Sequence, residues 1–199
     1  MRNLTFVVFF LLLASSSRCQ ENPAVVQFEI IQVQAGAQLN FTLAAGNTCL
    51  GIRILRSDDN TSFSEIGFIG GVCGSVSDNV SYSYTDSMPL ANKVGYYQLD
   101  LELLGTSAVH SFRYINYGSE PVVAVPNISE GLFHLYFQNP RKAPVRLTVF
   151  DLNGRKIKET DYPGINSIDL DLSNERAGEF IFNINIDGID NYNGKLIVY

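Results

Sequence analysis

The chain has 199 residues, 17% of them charged, with a formal net charge of −6, two histidines and no tryptophan. A length of this order holds one large domain or two small ones. Neither half has a basic footprint, with 4 basic and 10 acidic residues from Gln20 to Glu120 and 8 and 10 from Pro121 to Tyr199. Nucleic acid is therefore excluded as a partner class.

The first segment, MRNLTFVVFFLLLASSSRCQ, places Arg2 before an apolar run from Leu4 to Leu13 and a small-residue exit at Ala14–Ser17. That is the layout of a secretory signal peptide spanning residues 1–19, too short for a spanning helix. Arg18 before Cys19 argues against lipidation at that cysteine. Cleavage after Cys19 removes Arg2 and Arg18 and takes the net charge from −6 to −8. No later run reaches the roughly 20 apolar residues a membrane helix needs, so the chain is not expected to be transmembrane. The mature chain keeps Cys49 and Cys73, an even pair for which a disulfide is the default in an exported protein.

From residue 20 to 115 nearly every segment reads as a strand. VVQFEIIQV (25–33), QLNFTLA (38–44), GIRILRS (51–57), FSEIGFIGG (63–71), NVSYSYTD (79–86), GYYQLDLELLG (95–105) and SAVHSFRYINY (107–117) follow one another, with turn residues between them. Seven short strands at this spacing point to an antiparallel sandwich of immunoglobulin or fibronectin type III character. The polar stretch at 116–121 reads as a linker. About seven more strands follow over 122–199, with Ile168, Leu170 and Leu172 on one face of their segment and Phe180, Phe182, Ile184 and Ile186 on one face of another. The expected fold class is all-β: two tandem immunoglobulin/fibronectin III-like β-sandwiches after a cleaved signal peptide. Asn153-Gly154 is expected to form a two-residue type I′ turn, since both residues tolerate positive φ.

Three motifs recur in order in the second sandwich: VPNISEGLFHLYF (125–137), VRLTVFDLNGRKI (145–157) and ERAGEFIFNINIDG…GKLIVY (175–199). Together they make residues 122–199 resemble the type A C-terminal sorting domain of the type IX secretion system of the Bacteroidota. Pro126, Asn127 and Gly131 match the first motif, with Ile128 in place of its second proline. Asp151, Gly154 and Arg155 match the second, and Gly178, Phe180 and Lys195 the third. The terminal Tyr199 departs from the lysine often found there. The resemblance implies export by the type IX translocon, removal of the domain by a sortase-like peptidase in the linker, and release or attachment to surface lipopolysaccharide. Residues 49–112 resemble the fibronectin type III-like module that often precedes such domains, through Arg56-Ser57, Phe63, Ile66, Tyr82, Tyr84, Asp86, Pro89, Tyr96, Tyr97 and Leu99.

Catalytic chemistry has little anchor in the sequence. His110 and His134 fall one in each sandwich, and Gly-x-Ser-x-Gly, His-Glu-x-x-His and P-loop patterns are missing. Asp187, Asp190 and Asn191 offer oxygens to calcium but lack EF-hand spacing; no metal site and no cofactor is expected. In bacteria of the kind the resemblance implies, Asp86-Ser87-Met88 fits a loose O-glycosylation pattern. Tyr82, Tyr84, Tyr96 and Tyr97 are the candidate binding surface, as rings on adjacent strands make a platform for a glycan or a protein. The expected function is a secreted or outer-surface protein, routed through the periplasm, with a non-enzymatic passenger in binding, adhesion or structure. The alternatives are an enzyme with an unfamiliar site in the first sandwich, or a spacer joined to a sorting domain without activity of its own.

Overall fold

Residues 21–187 and 190–199 are described in the structure, a computed structural model. The expected signal peptide lies outside the described residues. Fifteen strands are defined among them, with one short 3-10 turn at Glu102–Leu104.

The first seven strands are β1 (Val25–Val33), β2 (Gly36–Leu43), β3 (Asn47–Ser57), β4 (Ser64–Ser75), β5 (Val80–Asp86), β6 (Val94–Asp100) and β7 (His110–Arg113). They form an antiparallel three-stranded sheet, β1-β2-β5, and an antiparallel four-stranded sheet, β4-β3-β6-β7. This three-plus-four crossover order is a sandwich of the immunoglobulin and fibronectin type III class. Alternation decides which faces meet: Ala37, Leu39, Phe41 and Leu43 of β2 point inward, and so do Ile52 and Ile54 of β3 and Tyr97 and Leu99 of β6. Each buried Leu, Ile or Phe side chain among them contributes about 1.5–3 kcal/mol.

The second sandwich comprises β8 (Val122–Val125), β9 (Ile128–Ser129), β10 (Leu132–Phe137), β11 (Val145–Asp151), β12 (Lys156–Tyr162), β13 (Ser167–Asp171), β14 (Gly178–Ile186) and β15 (Asp190–Val198). A three-stranded sheet, β13-β10-β8, faces a five-stranded one, β12-β11-β14-β15-β9. All pairings are antiparallel except β15 with β9. Phe133, Leu135, Phe137, Leu147, Val149, Ile168, Leu170, Phe182, Ile184 and Leu196 fill its interior. The two buried clusters, at 24–101 and 122–198, share no residue.

Three local features differ from the sequence expectations. The run 95–105 does not continue as one strand. β6 stops at Asp100, whose Oδ1 accepts the Glu102 N–H at 2.9 Å, and Glu102 adopts φ 55°. Leu101 is then buried while Leu103 is 96% exposed, so the alternation of leucines that mimics a strand is broken by the turn. The two residues Ile128–Ser129 form a strand that periodicity does not reveal. The turn at Asn153-Gly154 is not type I′, because only Gly154 has positive φ (77°). The Gly154 N–H donates to the Asp151 carbonyl at 3.0 Å and the Asp151 N–H to the Arg155 carbonyl at 3.0 Å. That is the pattern of a type I turn followed by a left-handed glycine. Asp at the first position decides it: Oδ1 accepts the N–H groups of Asn153 (2.9 Å) and Arg155 (3.0 Å).

Candidate functional site

The motif residues of the second sandwich gather in two places. At one end of the five-stranded sheet, a groove of about 740 Å³ is lined by the turn residues Asp151–Asn153 and Arg155 on one side and 174–180 on the other. Asp151, Arg155 and Gly178, from the second and third motifs, thus share one surface. The Arg155 Nε donates to Asp151 Oδ2 at 3.0 Å. That guanidinium, opposed by partial burial but joined by the N–H bonds of Arg155 and Asn153, holds the Asp151 carboxyl below its ordinary range. Leu152 stands 64% exposed at the tip. Gly178 opens β14, and a Cβ there meets nothing nearer than the Arg176 carbonyl at 3.8 Å, so space alone does not require a glycine.

The first motif lies at the β9–β15 pairing. Val125–Pro126 is a cis peptide, and the Ile197 N–H donates to the Asn127 carbonyl (2.9 Å) and the Tyr199 N–H to the Ser129 carbonyl (3.1 Å). Both bonds use carbonyls on either side of Ile128, so exchanging proline for Ile128 leaves them intact. Gly131, at φ 115°, packs so closely on Ser173 that a Cβ would sit 2.5 Å from its backbone. Lys195 pairs with Glu179 at 2.7 Å and, with Asn127, lines a second cavity of about 350 Å³ beside the 116–124 segment.

In the first sandwich, Cys49 and Cys73 form a disulfide between facing positions of β3 and β4. The four tyrosines do not make one open platform. Tyr97 is 1% exposed, and its hydroxyl donates to Asp86 Oδ2 at 2.9 Å; burial first, then the Asp86 charge, pushes this phenol well above its ordinary value. The Tyr84 hydroxyl donates to the Ile66 carbonyl (2.5 Å), and the Tyr82 hydroxyl accepts the Gly74 N–H (2.7 Å). Tyr82 also stacks on Phe41. Tyr96 is half-buried on the opposite face of β6 from Tyr97.

Three residues of the fibronectin-like resemblance, Arg56, Asp86 and Tyr97, meet in one cluster, with Asp86 and Tyr97 buried and Arg56 half-buried. Arg56 Nη1 lies 2.6 Å from Asp86 Oδ2 and donates to the Met88 carbonyl, and Asp86 Oδ1 accepts the Met88 N–H. Asp86 is 5% exposed, so the carboxyl of the Asp86-Ser87-Met88 pattern is committed inside the fold. Both histidines hydrogen-bond a carboxylate, His110 to Glu21 (2.9 Å) and His134 to Asp169. Burial raises the Glu21 carboxyl, but hydrogen bonds from His110, Ala108 and Asn22 outweigh it and hold the group below its ordinary 4.5. Asn191 accepts from Asn185 across the β14–β15 pairing, and no group of three metal-ligating side chains occurs among the described residues.

A folded unit with its own interior, its motif residues gathered in two places and its last strand pinned to its first motif forms the β-sandwich module at the end of the described chain. Residues 124–199 match the family described as the secretion system C-terminal sorting domain, so this module is a type IX sorting domain and marks the protein for export to the cell surface or the medium. Comparison with curated proteins returns no match. Among solved structures, the chain is similar to a two-domain fibronectin type III segment of chicken tenascin (13% identity, 87% of this chain and 98% of that one, TM-score 0.32). It is also similar to the BSP domain of a biofilm-associated protein (13% identity, 88% and 30%, TM-score 0.29) and to the human OSCAR ligand-binding domain (10%, 86% and 96%, TM-score 0.29). The fold assignment rests on strand order.

Proposed function

We propose that this is a non-enzymatic β-sandwich protein delivered by the type IX secretion system, with residues 20–115 as passenger and 122–199 as the delivery domain. The leader takes the chain to the periplasm, the translocon engages the second sandwich, and a sortase-like peptidase cuts the 116–121 linker. The passenger then acts in binding, adhesion or structure, released or joined to surface lipopolysaccharide. The observation that carries this reading is the sorting-domain match falling on a sandwich whose buried core is separate from that of the passenger. A contact role for the passenger is supported by the outer face of β1-β2-β5. There Gln38, Asn40, Thr42, Ser81 and Ser83 form hydrogen-bonded rows of amides and hydroxyls, a polar surface suited to a glycan or a protein.

The test is deletion of Val122–Tyr199 followed by quantification of the protein at the cell surface and in the medium. The deleted form is expected to stay in the periplasm. Undiminished delivery would refute the export role, and glycan-array binding by the secreted wild type, lost on substitution of Asn40 and Thr42, tests the contact role.

A further inference from the structure

The main chain leaves the first sandwich through two side-chain clamps. Strand β7 ends at Arg113, and beyond it the chain keeps only an isolated bridge between Tyr114 and Ala91. At Ile115 the Gln32 carboxamide replaces a neighbouring strand: Nε2 donates to the Ile115 carbonyl at 2.9 Å and Oε1 accepts the Ile115 N–H at 2.9 Å. At Asn116 the Asn92 carboxamide repeats the arrangement, with Nδ2 to the Asn116 carbonyl at 3.1 Å and Oδ1 from the Asn116 N–H at 2.9 Å. The Asn92 N–H itself donates to the Tyr114 carbonyl at 2.8 Å. Asn92 holds φ 57°, a left-handed conformation that asparagine tolerates better than most residues.

The two clamps come from different elements, β1 and the β5–β6 connection, 83 and 24 residues away in sequence. Each satisfies both main-chain groups of one residue, as a strand would. Immediately after them the chain changes character. The Gly118 N–H is held only by the Asn116 side chain (2.9 Å), the Glu120 N–H by the Tyr117 carbonyl (2.8 Å), and Gly118, Ser119, Glu120 and Pro121 are all exposed. Val122 is buried again as β8 begins.

A peptidase needs several residues of free backbone to extend into its active site, and cleavage follows the population of the opened segment when opening and closing are fast. We propose that Gln32 and Asn92 are positioning residues for processing: they keep Ile115 and Asn116 closed and confine peptide-bond cleavage to Gly118–Pro121. This rests on the reading that the chain is cut between its sandwiches. Hydrolysis there consumes one water, leaves a carboxylate on the upstream residue and an amine on the downstream one, and ends the passenger two to four residues beyond its last clamp.

The experiment is limited digestion of the full leaderless chain with a broad-specificity serine protease, with fragment ends assigned by mass. The first cut in the wild type is expected within 118–121. Gln32→Glu with Asn92→Asp keeps size and the acceptor oxygens but removes both donors. In this double variant, new cuts at 114–117 are expected at least about tenfold faster than in the wild type, with cleavage elsewhere unchanged, since each clamp loses a net hydrogen bond. Asn92→Gly, which retains the left-handed backbone at no steric cost, is expected to open Asn116 in the same way. An unchanged cleavage map in both variants, or a first wild-type cut outside 118–121, would overturn the proposal. The digestion involves no secretion machinery, so undiminished delivery in the deletion test above, which would refute the export role, is read independently of this result.

Discussion

Gly131 and Gly154 both hold positive φ, at 115° and 77°, for reasons that separate cleanly. Around Gly154 a Cβ would meet nothing within 4 Å, whereas at Gly131 it would lie 2.5 Å from the Ser173 Cα and N. Gly154→Ala therefore carries only the left-handed backbone cost of about 1–2 kcal/mol. Gly131→Ala adds a clash with main chain that cannot rotate away, and about 3 kcal/mol or more is expected in total. Urea unfolding of the two variants checks the order; equal costs would mean the Ser173 segment yields freely. The sequence pattern that flags both positions is the same motif matching, and it does not distinguish them. The distance to Ser173, 42 positions away, does.

At the level of elements, β4 is the outer strand of its sheet, and an outer strand presents unpaired main-chain groups. Two of the tyrosines singled out as a binding surface close that edge, Tyr84 at the Ile66 carbonyl and Tyr82 at the Gly74 N–H. Gly67 makes room for this, since a Cβ there would lie 2.3 Å from the Tyr84 ring. The Cys49–Cys73 disulfide staples the same strand to β3 across 24 residues. In the chain-entropy account a loop of that length contributes roughly 3 kcal/mol. Reduction, or Cys49→Ala with Cys73→Ala, is expected to lower the unfolding free energy of the first sandwich by that amount, measured by denaturant titration with and without reductant. No change would show that the unfolded chain gains little freedom on losing the bridge. Alternation along NVSYSYTD places Tyr82 and Tyr84 on one face of a strand, but it is silent on whether that face meets water or a neighbouring edge. The partner strand settles this, and it is brought there by the crossover of β5 to β2.

Across the whole molecule, two interiors without a common residue predict two unfolding units. Leu147→Ala, at a fully buried position in the second, is expected to cost about 3 kcal/mol. In calorimetry it should lower one transition and leave the other in place; a single transition shifted as a whole would mean the sandwiches unfold together. What the sequence determined by itself is most of the strand content, the apolar faces of the regularly alternating strands and the export module. These depend on a two-residue period and on motifs a few residues long, which are local properties of the chain. Tertiary structure alone decided the Arg56–Asp86–Tyr97 cluster, the pairing of β9 with β15, and the amide clamps of Gln32 on Ile115 and Asn92 on Asn116. Each of these joins residues 11 to 83 positions apart, and no local periodicity records which distant segments closure of the sheets will bring within hydrogen-bond reach.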